Sequence, residues 1–108
     1  MNFLNLIARY AASNSTVLFM KGTLDRPMSL GSAAAAEILD SYGVKFGIVD
    51  IQTEPVVRAF LPKYSASSEC PQLFIQGEFI GGWAVVRELH EQGELQQMLE
   101  LARMPKAS

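Results

Sequence analysis

Residues 16–50 read TVLFMKGTLDRPMSLGSAAAAEILDSYGVKFGIVD, and this stretch decides the predicted fold. Its first five residues form a short apolar run bounded by turn residues, which is typical of a buried strand. Residues 45–50 predict a second strand, and the segment between the two predicts a helix that Ser32 caps and Gly43 ends. Two strands connected through a helix indicate a parallel β-α-β crossover.

The segment before this unit and the segment directly after it both predict helices. Apolar residues recur at helical spacing from about Asn2 to Ser13, which indicates an amphipathic N-terminal helix. Thr53 is a plausible N-cap for the helix that follows the second strand, with Pro55 in its first turn. Pro62 should kink this helix or end it early, because proline lacks the amide donor.

The remaining third of the chain predicts a hairpin and a helical segment. Residues 72–75 and 78–80, joined through Gln76-Gly77, indicate two antiparallel strands. Apolar positions from Val85 onward indicate a helix that Gly93 interrupts. The complete order favours the thioredoxin-like α/β fold, in which helices flank a four-stranded mixed sheet, here with an extra N-terminal helix.

Length and composition limit the classes of function. The 108 residues indicate a single domain over 1–108, with the N-terminal helix within 1–14 and a frayed tail at 103–108. A hydrophobic share of 49% with 19% charged residues indicates a folded globule. A net charge of −2 without any Lys/Arg run argues against nucleic-acid binding. The apolar runs are too short to span a membrane, so we expect no membrane partner.

Cys70 is the only cysteine, so the chain has no internal disulfide. A single free thiol is typical of a reducing compartment. The start Met1-Asn2-Phe3-Leu4 lacks the basic region of a secretory signal. We therefore expect a cytoplasmic protein.

Several short strings agree in order and spacing with one known family from about Val17 to Leu99. They are Phe19-Met20-Lys21-Gly22-Thr23, Pro27, Tyr64-Ser65, Pro71-Gln72-Leu73, Gly77-Glu78-Phe79-Ile80-Gly81-Gly82 and Gly93-Glu94-Leu95. In these strings the chain resembles the monothiol glutaredoxin family of the thioredoxin superfamily. The resemblance implies the thioredoxin-like fold and a place in the thiol-redox system of the cell.

The family's nucleophile is a cysteine in a Pro-x-Cys-Gly-Phe-Ser loop at the start of a helix, where the helix dipole lowers the pKa of the thiol. The corresponding residues here are Pro27-Met28-Ser29-Leu30-Gly31-Ser32, so Ser29 stands at the cysteine position. A dipole worth about 1 kcal/mol does not ionise a hydroxyl, and the lone histidine, His90, belongs to the last helical segment. The resemblance therefore implies a non-catalytic member, without the family's [2Fe-2S] cluster and with no other metal site.

The resemblance also implies a glutathione groove. Lys21 and Arg58 match basic residues that hold the glycyl carboxylate of glutathione. The backbone at Cys70-Pro71, with Pro71 in a cis peptide, matches the backbone edge that pairs with the cysteinyl unit of glutathione. Gly82 belongs to the turn that holds the γ-glutamyl end.

Part of this groove departs from the family pattern. The aspartate that usually completes the turn at Gly82 is Ala84, preceded by the bulky Trp83, and the threonine that usually precedes Cys70 is Glu69. About half of the anchors remain, so we expect weak residual binding of glutathione or of a protein, because losing one buried charge pair commonly costs about 2–5 kcal/mol.

Two alternatives stay open. In the first, Cys70 serves as a relocated thiol for glutathione-dependent exchange or redox sensing. Three points argue against this role. Free cysteines are usually buried hydrophobes, no helix N-terminus is expected beside Cys70, and Glu69 should raise the pKa of the thiol. In the second, the chain is a protein–protein interaction module, for which a weak homodimer is one form. Ser29 and Ser32 are better explained as helix caps than as catalytic groups, and Lys21 and Arg58 also fit ordinary solvated surface residues.

Overall fold

The structure is a computed structural model that describes residues 2–104, in which four strands form one mixed sheet flanked by helices. The elements are α1 Phe3–Ala11, β1 Thr16–Met20, α2 Leu30–Ser41, β2 Gly47–Asp50, α3 Pro55–Ser65, β3 Gln72–Ile75, β4 Glu78–Gly81, α4 Trp83–Glu91 and α5 Glu94–Arg103. The strand order is β2-β1-β3-β4, with β1 parallel to β2 and the other two pairs antiparallel. The predicted fold class is confirmed.

Strand β1 is buried on both faces of the sheet, which explains its continuous apolar sequence. Val17 and Phe19 pack with residues of α1 and α3, whereas Leu18 and Met20 pack with residues of α2, α4 and α5. Because alternate side chains of a strand point to opposite faces, one short segment contributes to both hydrophobic cores. Among residues 2–104, no helix is long and apolar enough to cross a bilayer.

The N-terminal and C-terminal boundaries differ modestly from the expected ones. Helix α1 begins at Phe3, because the side chain of Asn2 accepts hydrogen bonds from the amides of Leu4 and Asn5 and so caps it. It ends at Ala11, two residues before the expected Ser13. The expected frayed tail lies mostly at 105–108, outside the described residues, and Arg103 is the last residue of α5.

Two of the predicted helix caps were wrong. The N-cap of α2 is Ser29, whose hydroxyl accepts the Ser32 amide at 3.1 Å, whereas Ser32 lies inside the helix and is fully buried. The N-cap position of α3 is Glu54, and the Thr53 hydroxyl instead donates to the Asp50 carbonyl at 3.2 Å. In each case the sequence offered two polar residues near the helix start, and tertiary contacts decided between them.

The expectation that Pro62 ends its helix early was also wrong, because α3 continues to Ser65. The Ser65 hydroxyl donates to the Leu61 carbonyl at 3.1 Å and so satisfies a backbone acceptor in the last turn. Leu61 itself is buried in the core, and Phe60 stacks on Phe3 of α1 with ring centroids 4.8 Å apart. Packing of this turn against the sheet and α1 offsets the cost of the missing amide donor.

The predicted hairpin is confirmed. Gln76 and Gly77 connect β3 to β4 with φ values of 51° and 80°, the left-handed backbone that a tight two-residue hairpin turn requires. Strand β2 begins at Gly47 rather than at residue 45, and β4 extends to Gly81.

Gly22 connects β1 to the loop before α2 and has a φ of +90°. A Cβ at this position would lie 2.2 Å from the Arg26 carbonyl oxygen, whereas a Cβ at Gly43, with a φ of +69°, would meet nothing within 4 Å. Gly43 is therefore a suitable control for Gly22, because at Gly43 a side chain is disfavoured by the backbone conformation alone.

We predict that Gly43→Ala lowers the free energy of unfolding by about 1–2 kcal/mol, the usual cost of a left-handed residue. Gly22→Ala should cost more, because overpacking adds typically about 1–3 kcal/mol to that strain. Urea unfolding of both variants measures the difference. Equal losses would contradict the described approach of the loop to Gly22.

Candidate functional site

A pocket of about 250 Å³ lies beyond the carboxyl ends of β1 and β2, next to α3 and the segment before β3. Ligands of open α/β sheets commonly bind at this edge of the sheet. Three of the predicted ligand residues, Lys21, Arg58 and Cys70, line this one pocket. The other two, Pro71 and Gly82, are buried next to it. The chain therefore brings together two cationic side chains and its only thiol.

The backbone of Lys21 is fixed by hydrogen bonds to neighbouring elements. Its amide donates to the Ser32 hydroxyl of α2 at 3.0 Å, and its carbonyl accepts from the Met28 amide at 2.8 Å. The next amide, that of Gly22, donates to Asp50 Oδ1 at the end of β2, also at 3.0 Å. The ammonium group of Lys21 is thus presented to the pocket from a rigid junction, with its side chain exposed. Arg58, in the first turns of α3, is exposed as well.

Cys70 is half-buried and joins Pro71 through a cis peptide bond, as the family resemblance implied. Burial raises the pKa of the Cys70 thiol above its ordinary value, and Asp50 adds to the rise. The Ser32 hydroxyl and the ammonium and amide groups of Lys21 lower the pKa by less than burial raises it. The net effect leaves a protonated, weakly nucleophilic thiol at neutral pH.

Two parts of the sequence argument about Cys70 were wrong. Its pKa is raised, as expected, but the causes are burial and Asp50 rather than Glu69. The thiol also lies beside a helix start, because Ser32 is the third residue of α2. Folding brings these segments together across the sheet, which the chain order alone does not reveal.

Ser29 is half-buried at the N-terminus of α2, and its hydroxyl accepts the Ser32 amide. This geometry agrees with the cap interpretation of Ser29. His90 is exposed on α4 and forms a hydrogen bond through Nδ1 with the hydroxyl of Tyr42. Tyr42 is the C-cap of α2 and Ser29 its N-cap, so the usual rise of about 1.5 Å per residue puts their backbones about 20 Å apart. His90 therefore cannot serve as a base for Ser29.

Gly82 is the N-cap residue of α4 and, as a glycine, provides no side-chain cap. A Cβ on Gly82 would lie 2.6 Å from Glu69 Oε2, so the Glu69 carboxylate lies against this turn. Glu69 also lines the pocket. Trp83 is half-buried near α2, and its Cβ lies 3.8 Å from where a Cβ on Gly31 would be. The pocket therefore has an anionic group at the Gly82 turn; the sequence indicated Glu69 as part of the groove but not this contact.

Gln72 is a residue that sequence reasoning missed. It is fully buried at the start of β3, and its Nε2 donates to the carbonyls of Ser67 and Glu69, both at 2.9 Å. A polar residue at the start of the buried run Gln72-Leu73-Phe74-Ile75 was the available signal. Its amide fixes the loop that carries Glu69 and Cys70.

Apolar side chains flank Ser29 on the surface. Met28 is 62% exposed and Leu30 is 91% exposed. Contiguous exposed apolar patches mark contact surfaces, and these two side chains form a small one.

This chain is similar to known glutaredoxins. A model of the family described as Glutaredoxin matches residues 17–80. The chain is 42% identical over 94 residues to Glutaredoxin 4 of Escherichia coli K12, covering 87% of this chain and 82% of that protein. It is 42% identical over 83 residues to the probable monothiol glutaredoxin GrlA of Legionella pneumophila, covering 77% and 93%. The crystal structure of a buckwheat glutaredoxin–glutathione complex has the same fold, with a TM-score of 0.81 at 24% identity over 93% of this chain and 89% of that one.

We predict that Cys70 reacts slowly with iodoacetamide at neutral pH, because its raised pKa leaves little thiolate. The rate should keep rising with pH above about 8.5, the ordinary thiol range. Mass spectrometry of the intact protein follows the reaction, with the urea-unfolded chain as the control for an accessible thiol. A folded protein that reacts faster at neutral pH than the unfolded chain would contradict the described environment.

Proposed function

Because the chain belongs to the glutaredoxin family, we propose that it is a non-catalytic, glutathione-binding member that acts in the thiol-redox system of the cytoplasm. The pocket that holds Lys21, Arg58 and Cys70 is the observation that carries this proposal. Glutathione is a peptide with carboxylates at both ends, so two cations beside a backbone edge match one of its ends. A cytoplasmic location fits a single free thiol, since cytosolic thiols are kept reduced.

Ser29 is the reason that we expect no thiol–disulfide exchange. Disulfide exchange requires a thiolate that attacks a disulfide sulfur, and a cap hydroxyl at the start of α2 does not carry out that step. The residue at this helix start does not fit the family's iron–sulfur cluster either, because Ser29 offers a hydroxyl where a thiolate is needed. The proposal is therefore binding without turnover.

Two other functions are each favoured by one observation. Cys70 shares its pocket with Lys21 and Arg58, which favours a thiol that exchanges with glutathione disulfide or senses oxidants. The exposed side chains of Met28 and Leu30 favour docking of a protein, including a second copy of the chain. We rank both below glutathione binding, because burial raises the pKa of the Cys70 thiol and because two protruding side chains define only a small patch.

We predict millimolar binding of reduced glutathione, which shifts the backbone amide signals of Lys21, Arg58 and residues 70–73 in a titration of isotopically labelled protein. Arg58→Glu should weaken binding about five-fold or more, because it replaces an attraction for the ligand carboxylate with a repulsion. Lys63→Glu is the matched control: it makes the same charge change on α3, but Lys63 lies next to Phe3 and Phe60, away from this pocket.

Equal losses of affinity in the Arg58 and Lys63 variants would mean that only the overall charge matters. If no amide moves at millimolar glutathione, the binding proposal fails, and the surface at Met28 and Leu30 becomes the better candidate.

We further predict that the wild-type protein does not accelerate the reduction of a small disulfide by glutathione, measured through coupled consumption of NADPH by glutathione reductase. Ser29→Cys in a Cys70→Ser background should gain this activity, because the amides at the start of α2 lower the pKa of a thiol placed there. The Cys70→Ser variant alone is the control. Wild-type activity that disappears in Cys70→Ser would establish the Cys70 alternative instead.

A further inference from the structure

Among residues 2–104, Glu69 is the one carboxylate that lines the pocket, and its backbone is held on both sides. Its amide donates to the Ser67 hydroxyl at 3.2 Å, and its carbonyl accepts from Nε2 of the buried Gln72 at 2.9 Å. Its side chain reaches across the start of β3, so that Oε2 lies 2.6 Å and Cδ 3.3 Å from where a Cβ on Gly82 would be. The loop therefore fixes the backbone of Glu69, and from there the exposed side chain places its carboxylate against the Gly82 turn.

The charges around the pocket are divided between its two sides. Lys21 follows β1, which neighbours the edge strand β2, and Arg58 lies on α3. Glu69 contacts Gly82, which follows the opposite edge strand β4. Cys70 and its cis peptide lie next to Glu69. A ligand that fits this distribution carries a carboxylate at one end and an ammonium group at the other.

The first turn of α4 contains no acidic residue, and Ala84 stands where the family resemblance implies an aspartate. Glu69, from a different segment, places a carboxylate beside the same turn. We propose that Glu69 is the specificity-determining residue that binds the ammonium group of the γ-glutamyl end of glutathione. This inference rests on the proposed glutathione binding and assigns the recognition of that end to a residue outside the turn.

The test compares two ligands and two proteins. The ligands are reduced glutathione and glutaryl-cysteinylglycine, the same tripeptide without the α-amino group. The proteins are wild type and Glu69→Gln, which removes the charge and keeps the size of the side chain. Dissociation constants come from amide-shift titrations that follow Lys21, Cys70 and Gly82.

Wild type should bind glutathione about five-fold more tightly than the amino-free ligand, as an exposed ion pair predicts. Glu69→Gln should lose this preference by weakening glutathione about five-fold while changing the affinity for the amino-free ligand by less than two-fold. Glu78→Gln, an exposed carboxylate on β4 away from the pocket, is the matched control and should keep the wild-type preference.

The outcomes separate this inference from the function on which it rests. If wild type binds both ligands equally well, or if Glu69→Gln weakens both equally, the ammonium role is wrong although glutathione binding stands. Tighter binding of glutathione by Glu69→Gln would show that Glu69 obstructs the γ-glutamyl end, which also overturns the inference. If wild type binds neither ligand, both proposals fail together. Thermal unfolding of each variant excludes loss of the fold as the cause.

Discussion

The hydroxyl of Ser32 connects the elements on which the site depends. It is fully buried, accepts the amide of Lys21 at the end of β1 at 3.0 Å, and interacts with the thiol of Cys70. The amide of the same residue donates to Ser29, so the residue also fixes the first turn of α2. A buried polar group left without its partner commonly costs about 1–3 kcal/mol, so these contacts hold β1, α2 and the loop before β3 in one arrangement. The pocket is the space that this arrangement leaves beyond the sheet.

The parts of the fold that the sequence predicted well depend on local pattern. Strand β1 was predicted with its observed bounds because burial on both faces demands an unbroken apolar run. The turn at Gln76-Gly77 was predicted because few residues adopt the left-handed backbone it needs. The errors arose where two chemically similar residues competed. Ser29 and Ser32 are both small hydroxyl residues near the helix start, and in the structure Ser29 caps the helix whereas the Ser32 hydroxyl accepts the Lys21 amide.

The site shows the same division between local pattern and tertiary contact. Lys21, Arg58 and Cys70 lie far apart in the chain, and their meeting in one pocket follows from the sheet topology that the family resemblance implied. The sequence indicates Glu69 as a departure from the groove pattern and as a neighbour of Cys70, but not as a contact of Gly82. Its contact with Gly82 depends on how the loop before β3 is held by Gln72, a tertiary hydrogen bond that no sequence pattern specifies.

Glutathione binding and thiol–disulfide exchange depend on different groups in this fold, so binding does not require the groups that carry out exchange. The proposed binding depends on Lys21, Arg58 and the loop at Cys70, which line one pocket, and none of these requires a nucleophile. Exchange depends on one thiol at the helix start, where the chain has a hydroxyl that caps α2 instead. Because a serine cap stabilises a helix by about 1 kcal/mol, a serine at this position keeps a structural role after the chemical one is absent. The remaining thiol lies on the other side of the Ser32 hydroxyl, where burial disfavours its ionised form. This separation of groups is the physical basis of the proposal that the protein binds glutathione without reacting with it.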